Sequence, residues 1–206
     1  MKKTLIAGCV LALCSTSAMA DTWRFAAGAD LWRAQGDGHV QRQSADYDNN
    51  YNWSGYLQLE HGIILLPNAK FEVTDLSTSG GAFDNELTAY DLSLYYRLFN
   101  NPLFQIDLGL TGRRYDGDFK TTHSSYSDEV LMAYAGTEVR LPGTGASLFG
   151  DARVHDSDHY DYRIGGAYQF SSVPVKVRAG WRDAQVDVKK VDQGVDGWFV
   201  GAEFSF

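Results

Sequence analysis

The stretch Gly197-Trp198-Phe199-Val200-Gly201-Ala202-Glu203-Phe204-Ser205-Phe206 decides the fold. Trp198, Val200, Ala202, Phe204 and Phe206 share one parity; Phe199, Gly201, Glu203 and Ser205 share the other. Side chains alternate across a pleated strand, so a period of two gives one apolar face and one mixed face. The pattern recurs upstream. Phe104, Ile106, Leu108 and Leu110 oppose Gln105, Asp107, Gly109, Thr111 and Arg113. Tyr90, Leu92, Leu94, Tyr96 and Leu98 oppose Asp91, Ser93, Tyr95 and Arg97. No segment sustains a helical period. Ten strands are expected, near Thr22–Arg33, Tyr51–Glu60, Lys70–Leu76, Glu86–Leu98, Leu103–Arg113, Val130–Leu141, Ala146–His155, Tyr160–Phe170, Val175–Ala184 and Gly197–Phe206. Most approach the ~9–11 residues of a tilted membrane strand.

The connections alternate in character. All four prolines lie in every second one: Leu66-Pro67-Asn68, Asn101-Pro102, Leu141-Pro142-Gly143 and Val173-Pro174. Proline has no N–H for a sheet ladder, so it marks turns. The intervening connections are mostly longer and polar: Ala34–Asn50, Ser77–Asn85, Arg114–Asp128 and Lys189–Asp196, with Asp156–His159 short. Short turns at one end and longer loops at the other predict an all-β, up-and-down antiparallel transmembrane β-barrel of about ten strands.

Composition narrows the class. Of 206 residues, 14% are aromatic and 21 are glycine, which suits many short strands. Lys2 and Lys3, the apolar Thr4–Leu13 and the small-x-small site Ala18-Met19-Ala20 read as a cleaved signal peptide over residues 1–20. Residues 21–206 are then a single barrel domain. A lipoprotein reading of Ile6-Ala7-Gly8-Cys9 leaves too short an apolar stretch before Cys9. Cys9 and Cys14 both fall in the leader, so no thiol or disulfide chemistry is expected after it. Losing the leader removes two lysines and no acid, so the formal charge moves from −8 to −10. That sign argues against nucleic acid as a partner. Mean hydropathy is −0.29, and past the leader no apolar run approaches the ~18 residues of a membrane helix.

Alternation leaves the direction of the faces open. A soluble barrel or sandwich turns its apolar face inward, whereas a membrane barrel turns it to lipid. Aromatics near the ends of the apolar stripes (Trp23, Trp53, Tyr90, Trp181, Trp198, Phe204 and Phe206) favour the membrane version, because Trp and Tyr prefer the interface. The polar faces carry Arg24, Asp30, Glu60, Glu72, Asp91, Arg97, Asp107, Arg113, Glu138, Arg140, Asp151, Arg153, Arg163, Arg178, Arg182 and Glu203. Acids and bases balance among these sixteen although the chain is acidic, which suits a closed interior rather than a solvent face. Trp198, Val200, Ala202, Phe204 and Phe206 form a terminal aromatic strand that resembles the assembly signal of outer-membrane barrels.

The chain resembles a family of small outer-membrane β-barrel proteins of Gram-negative bacteria. The matching segments are Leu65-Leu66-Pro67-Asn68, Thr74-Asp75-Leu76, Leu108–Gly117, Leu141-Pro142-Gly143-Thr144-Gly145 and Val200–Phe206. The resemblance implies fold and an outer-membrane location reached by the general secretory route, and carries no activity and no catalytic residues. Implied partners are outer-membrane lipid and lipopolysaccharide, with periplasmic chaperones and the barrel-assembly machinery during biogenesis. No cofactor is expected, and a monomer is.

A barrel of about ten strands has a narrow interior that side chains fill. Arg97, Asp107, Arg113, Glu138, Arg140, Asp151, Arg153, Arg163, Arg178, Arg182 and Glu203 are expected to form an ion-paired plug, because an unpaired buried charge costs several kcal/mol. A structural or surface-interacting role follows. The alternative is a narrow channel for small polar solutes or ions, selected by those charges. A second alternative is a loop-end hydrolase. His155, Asp156, Asp158 and His159 crowd one hairpin tip and could hold a water or a metal, although Asp and Ser also simply favour turns. Resemblance to omptin-type proteases rests on strand number alone, with no adjacent Asp-Asp pair. His123, Ser125 and Glu138 only loosely resemble a lipid A deacylase arrangement. Asp46, Asp48 and Asn50 open like a calcium loop, but Tyr51 and Leu57 stand where it needs Gly and Glu.

Overall fold

The computed structural model describes residues 23–40, 43–46, 50–80, 83–119, 124–188 and 191–206. The leader expectation, His123 and Asp48 lie outside them. Twelve strands follow in order: β1 Trp23–Val40, β2 Gln43–Asp46, β3 Asn50–His61, β4 Asn68–Asp75, β5 Thr78–Gly80, β6 Phe83–Asn100, β7 Phe104–Phe119, β8 Ser124–Arg140, β9 Ala146–Val154, β10 Tyr160–Gln169, β11 Val175–Val188 and β12 Val191–Ser205. β2 and β5 are short pieces paired to the loop-side ends of β1 and β6. The other ten pair antiparallel with their neighbours, and β12 returns to β1, so the sheet closes. The ten-strand, up-and-down barrel expected from alternation is the observed fold.

Closure is backbone work. Phe25 N–H donates to the Phe206 carbonyl at 2.8 Å, and Phe206 N–H returns to Phe25 at 2.9 Å. The rings of Phe25 and Phe206 stack at 5.9 Å beside this seam. No edge is left to pair with another chain at this end. The prolines sit at one end of the barrel, in turns between β3 and β4, β6 and β7, β8 and β9, and β10 and β11. In the β8–β9 turn Thr144 N–H donates to Leu141 C=O, with Pro142 and Gly143 between and φ of +73° at Gly143. That is a type II turn, which wants Pro then Gly. Gly143→Ala should therefore cost about 1 kcal/mol, because a Cβ is strained at that φ. The urea midpoint of refolding would show it as a small shift with the slope unchanged.

The outer wall is apolar. Leu31, Leu57, Leu110, Leu131, Leu148, Ile164, Trp198 and Val200 are each more than half exposed. A contiguous belt of this size is foreign to the surface of a soluble monomer. The parity opposite it points inward, where Asp30, Glu72, Asp91, Arg113, Arg153, Asp161 and Arg163 are buried.

The strands run further than alternation suggested. β7 and β8 pair as far as Phe119 and Ser124, and β11 and β12 as far as Val188 and Val191. Much of Arg114–Asp128 and Lys189–Asp196, expected as loop, is ladder. The reason is a change of solvent. At 16 and 17 residues, β7 and β8 exceed the ~9–11 that a bilayer needs. Above that length the pattern inverts. Arg114, Asp118 and Glu129 point out, whereas Leu76, Leu87, Tyr115, Val186 and Val195 are buried inside. Period-two alternation therefore persists, with polar residues facing water and apolar ones the interior. The expectation that the polar face lines the interior holds toward the turns; toward the loops the lining is mainly apolar, with Thr78 donating to Gln193 among it.

Candidate functional site

The interior has two layers. On the loop side, Trp32, Ala34, Leu76, Leu87, Ala89, Tyr115, Ala184, Val186, Val195 and Phe199 form one buried apolar cluster. Beneath it lies a network of charges. The strand register sets which side chains reach across the lumen.

Glu72 on β4 is its hub. It accepts from both terminal nitrogens of Arg163, at 2.9 and 3.1 Å, and from Arg153 at 2.9 Å. Lys70, two residues along the same face, lies 3.1 Å away. Asp151 accepts three hydrogen bonds from Arg163 and pairs with Arg153 at 3.3 Å. Asp161 bridges Arg113 and Arg182, each at 2.6 Å. Asp91 takes a bidentate contact from Arg113 at 2.6 Å in both bonds. Asp30 takes another from Arg178. Forked guanidinium–carboxylate pairs are the strong form of this interaction. Gly201 makes room for it: a Cβ there would collide with the Asp30 carboxylate.

Nearer the turns, Arg97 is held by Glu60 and by Asp107, the latter at 3.0 Å. Tyr95 donates to Glu60 at 3.0 Å, and Tyr56 to Glu203 at 2.6 Å. Lys176 lies 3.3 Å from Glu138 and 3.7 Å from Glu203. Arg140 is a rim residue, one third exposed, donating to Gln105 at 2.8 Å and to the Asn101 carbonyl. A cavity of about 100 Å³ opens among Arg24, Glu60, Glu138, Lys176 and Glu203. That is room for several waters among polar partners.

The eleven residues singled out from sequence thus divide. Arg113, Asp151, Arg153, Arg163, Arg178 and Arg182 meet in the central network. Arg97 and Asp107 form a second group, and Glu138, Arg140 and Glu203 a third around the turn-side cavity. Sequence reasoning missed Lys70, Asp161 and Lys176. Each lies two residues from a charge on the same face (Glu72, Arg163 and Arg178), so period two applied strictly would have found them. The terminal residues Trp198, Val200, Phe204 and Phe206 sit on the outer wall, Trp198 against Trp181 at 5.3 Å.

The β9–β10 hairpin engages its own polar groups. His155 N–H donates to the His159 carbonyl, and Asp156 Oδ1 accepts from the N–H groups of Asp158 and His159. Desolvation pushes the Asp156 carboxyl up, but those donors and the His159 ring together hold it below the usual carboxylate range. His155 Nδ1 faces the Leu131 carbonyl at 2.9 Å and His159 Nε2 that of Asp187 at 2.6 Å. Ser157 donates to Asp158 rather than to a histidine. Among the described residues, no group of three or more His, Cys, Asp or Glu could hold a metal ion.

No protein-family model matches the chain, and no curated protein does. Solved structures do. The outer membrane protease OmpT from Escherichia coli matches at 10% identity over 91% of this chain and 98% of that one, with a TM-score of 0.55. Neisserial surface protein A matches at 15% identity over 88% and 97%, with a TM-score of 0.44. Ail of Yersinia pestis matches at 12% identity over 88% and 98%, with a TM-score of 0.41. At these identities the likeness is one of fold. The OmpT match, which covers 91% of this chain, is a match to the barrel fold alone.

Proposed function

We propose that this chain is an integral outer-membrane β-barrel protein with a closed lumen, and that it serves a structural or surface-interacting role through its loop end. One observation carries the reading: an apolar belt surrounds a lumen filled by an apolar layer stacked on an ion-paired one. Buried charges are tolerated when paired and hydrogen-bonded, and the Glu72 and Asp161 groups meet both conditions. Outer-membrane lipid and lipopolysaccharide are the proposed surroundings, reached by export and barrel assembly as a monomer. The turn-side cavity favours a second reading, a narrow channel for small polar solutes or ions. It ends, however, against the central network. The third reading, a hydrolase at His155–His159 of the omptin or lipid A-modifying kind, has the weakest support, since Ser157 is not aligned with either histidine.

Planar-bilayer conductance of protein purified from membranes tests the proposal, with gel mobility before and after boiling as the folding control. The expected result is a heat-modifiable protein that gives no discrete current steps. Steps that change on Arg113→Ala would transfer the assignment to the channel.

A further inference from the structure

We infer that the β3–β4 turn is a lipid-embedded anchor that lies on the outer wall of the barrel, in contact with phospholipid acyl chains. The inference rests on the membrane-barrel reading above and goes beyond it. In that reading the turns face the periplasm, where a tip should be polar. This tip is Gly62-Ile63-Ile64-Leu65-Leu66-Pro67. Ile64 and Leu65 are 88% and 87% exposed, the highest values among the large apolar side chains of the described residues. Among the other short turns, Asn100-Asn101 and Ser171-Ser172 are polar and the β8–β9 tip is Pro142-Gly143; each exposes a single aliphatic residue beside it, Leu103, Val173 and Leu141, at about half, where this tip presents four in a row.

Two further observations point to lipid. The turn is pinned outward: the Tyr96 hydroxyl, on the exterior of β6, donates to the Leu65 carbonyl at 3.2 Å. Tyr96, Leu94 and Leu98 belong to the outer belt, so the apolar tip is continuous with it. The turn also satisfies several of its own backbone groups, as a segment leaving water must. Leu66 N–H donates to Ile63 C=O at 3.2 Å. Ile63 N–H donates to His61 Nδ1 at 3.3 Å, and His61 Nε2 faces the Pro67 carbonyl at 3.3 Å. One neutral imidazole, carrying its proton on Nε2, closes both contacts. Pro67 has no N–H to satisfy.

The test is thiol accessibility in the full chain, with Cys9→Ser and Cys14→Ser as background. Ile64→Cys, Ser172→Cys and Leu94→Cys are made singly and checked for heat-modifiable folding. Each variant is reacted with a charged, water-soluble maleimide in leaky outer membranes and in vesicles of phosphatidylethanolamine and phosphatidylglycerol. The expected result is that Ile64→Cys reacts about tenfold more slowly than Ser172→Cys in both, since the reactive thiolate is disfavoured in apolar surroundings. Leu94→Cys should be equally slow. If Ile64→Cys reacts as fast as Ser172→Cys while Leu94→Cys stays protected, the turn lies in water; the inference falls and the barrel reading survives. Protection in outer membranes that vanishes in the vesicles would assign the tip to a protein partner instead. Fast reaction at Leu94→Cys would overturn the membrane reading itself.

Discussion

Glu72→Ala should destabilise the barrel by about 3–5 kcal/mol, the loss seen when one partner of a buried charge group is removed. Glu72 is fully buried and shared by Arg163, Arg153 and Lys70. Its removal takes from Lys70 the carboxylate 3.1 Å away and leaves the buried guanidinium groups of Arg163 and Arg153 with Asp151 but one acid fewer, in a space closed above by an apolar layer. The cost is the desolvation of those cations, not only the attraction lost. A contrast sets the scale. Arg114 and Glu129 pair at 3.6 Å on the outside, both more than half exposed. Exposed pairs contribute ~0–1 kcal/mol, so Glu129→Ala should barely move the midpoint. Urea unfolding of detergent-refolded protein measures both. Equal effects from the two variants would mean that the interior charges are solvated and not a plug.

Trp32→Ala should cost about 3–5 kcal/mol, the range for removing a large aromatic from a packed core. Trp32 is 1% exposed in the apolar layer, with the Arg182 guanidinium over its ring at 5.1 Å. The variant loses packing area, leaves a cavity and strips one face from a buried cation. Trp32→Phe should be far milder. Among the described residues no protein atom accepts from the buried indole N–H, so its removal relieves a penalty of about 1–3 kcal/mol that partly offsets the lost area. The pair of midpoints is the readout. If Trp32→Phe costs as much as Trp32→Ala, the indole N–H is bonded in solution and this account of the layer is wrong.

Much of the fold was legible because its determinant is local. Tyr90–Leu98 or Phe104–Arg113 announces a strand within ten residues, since parity alone sorts side chains between two faces. Pro67, Pro102, Pro142 and Pro174 marked one end for an equally local reason, the missing N–H. The interior was less legible. Asp161 escaped although it shares a face with Arg163, and the loop-side residues Val186 and Val195 were expected outside the strands. The rule that polar residues line the lumen holds only at membrane depth, and no short stretch of sequence marks where that depth ends.

By itself the sequence determined that this chain forms about ten antiparallel strands, that the strands carry one apolar and one charged face, and where the tight turns fall. Those are matters of period and backbone chemistry, decided between near neighbours. Only the tertiary structure decided which charges meet. Arg163 reaches Glu72 across 91 positions and Arg178 reaches Asp30 across 148. Such pairings depend on the stagger between every intervening pair of strands and on the closure of β12 against β1, since a shift of one residue anywhere would turn a whole face around. The same closure placed the apolar layer above the ionic one, because only a completed ring has an inside.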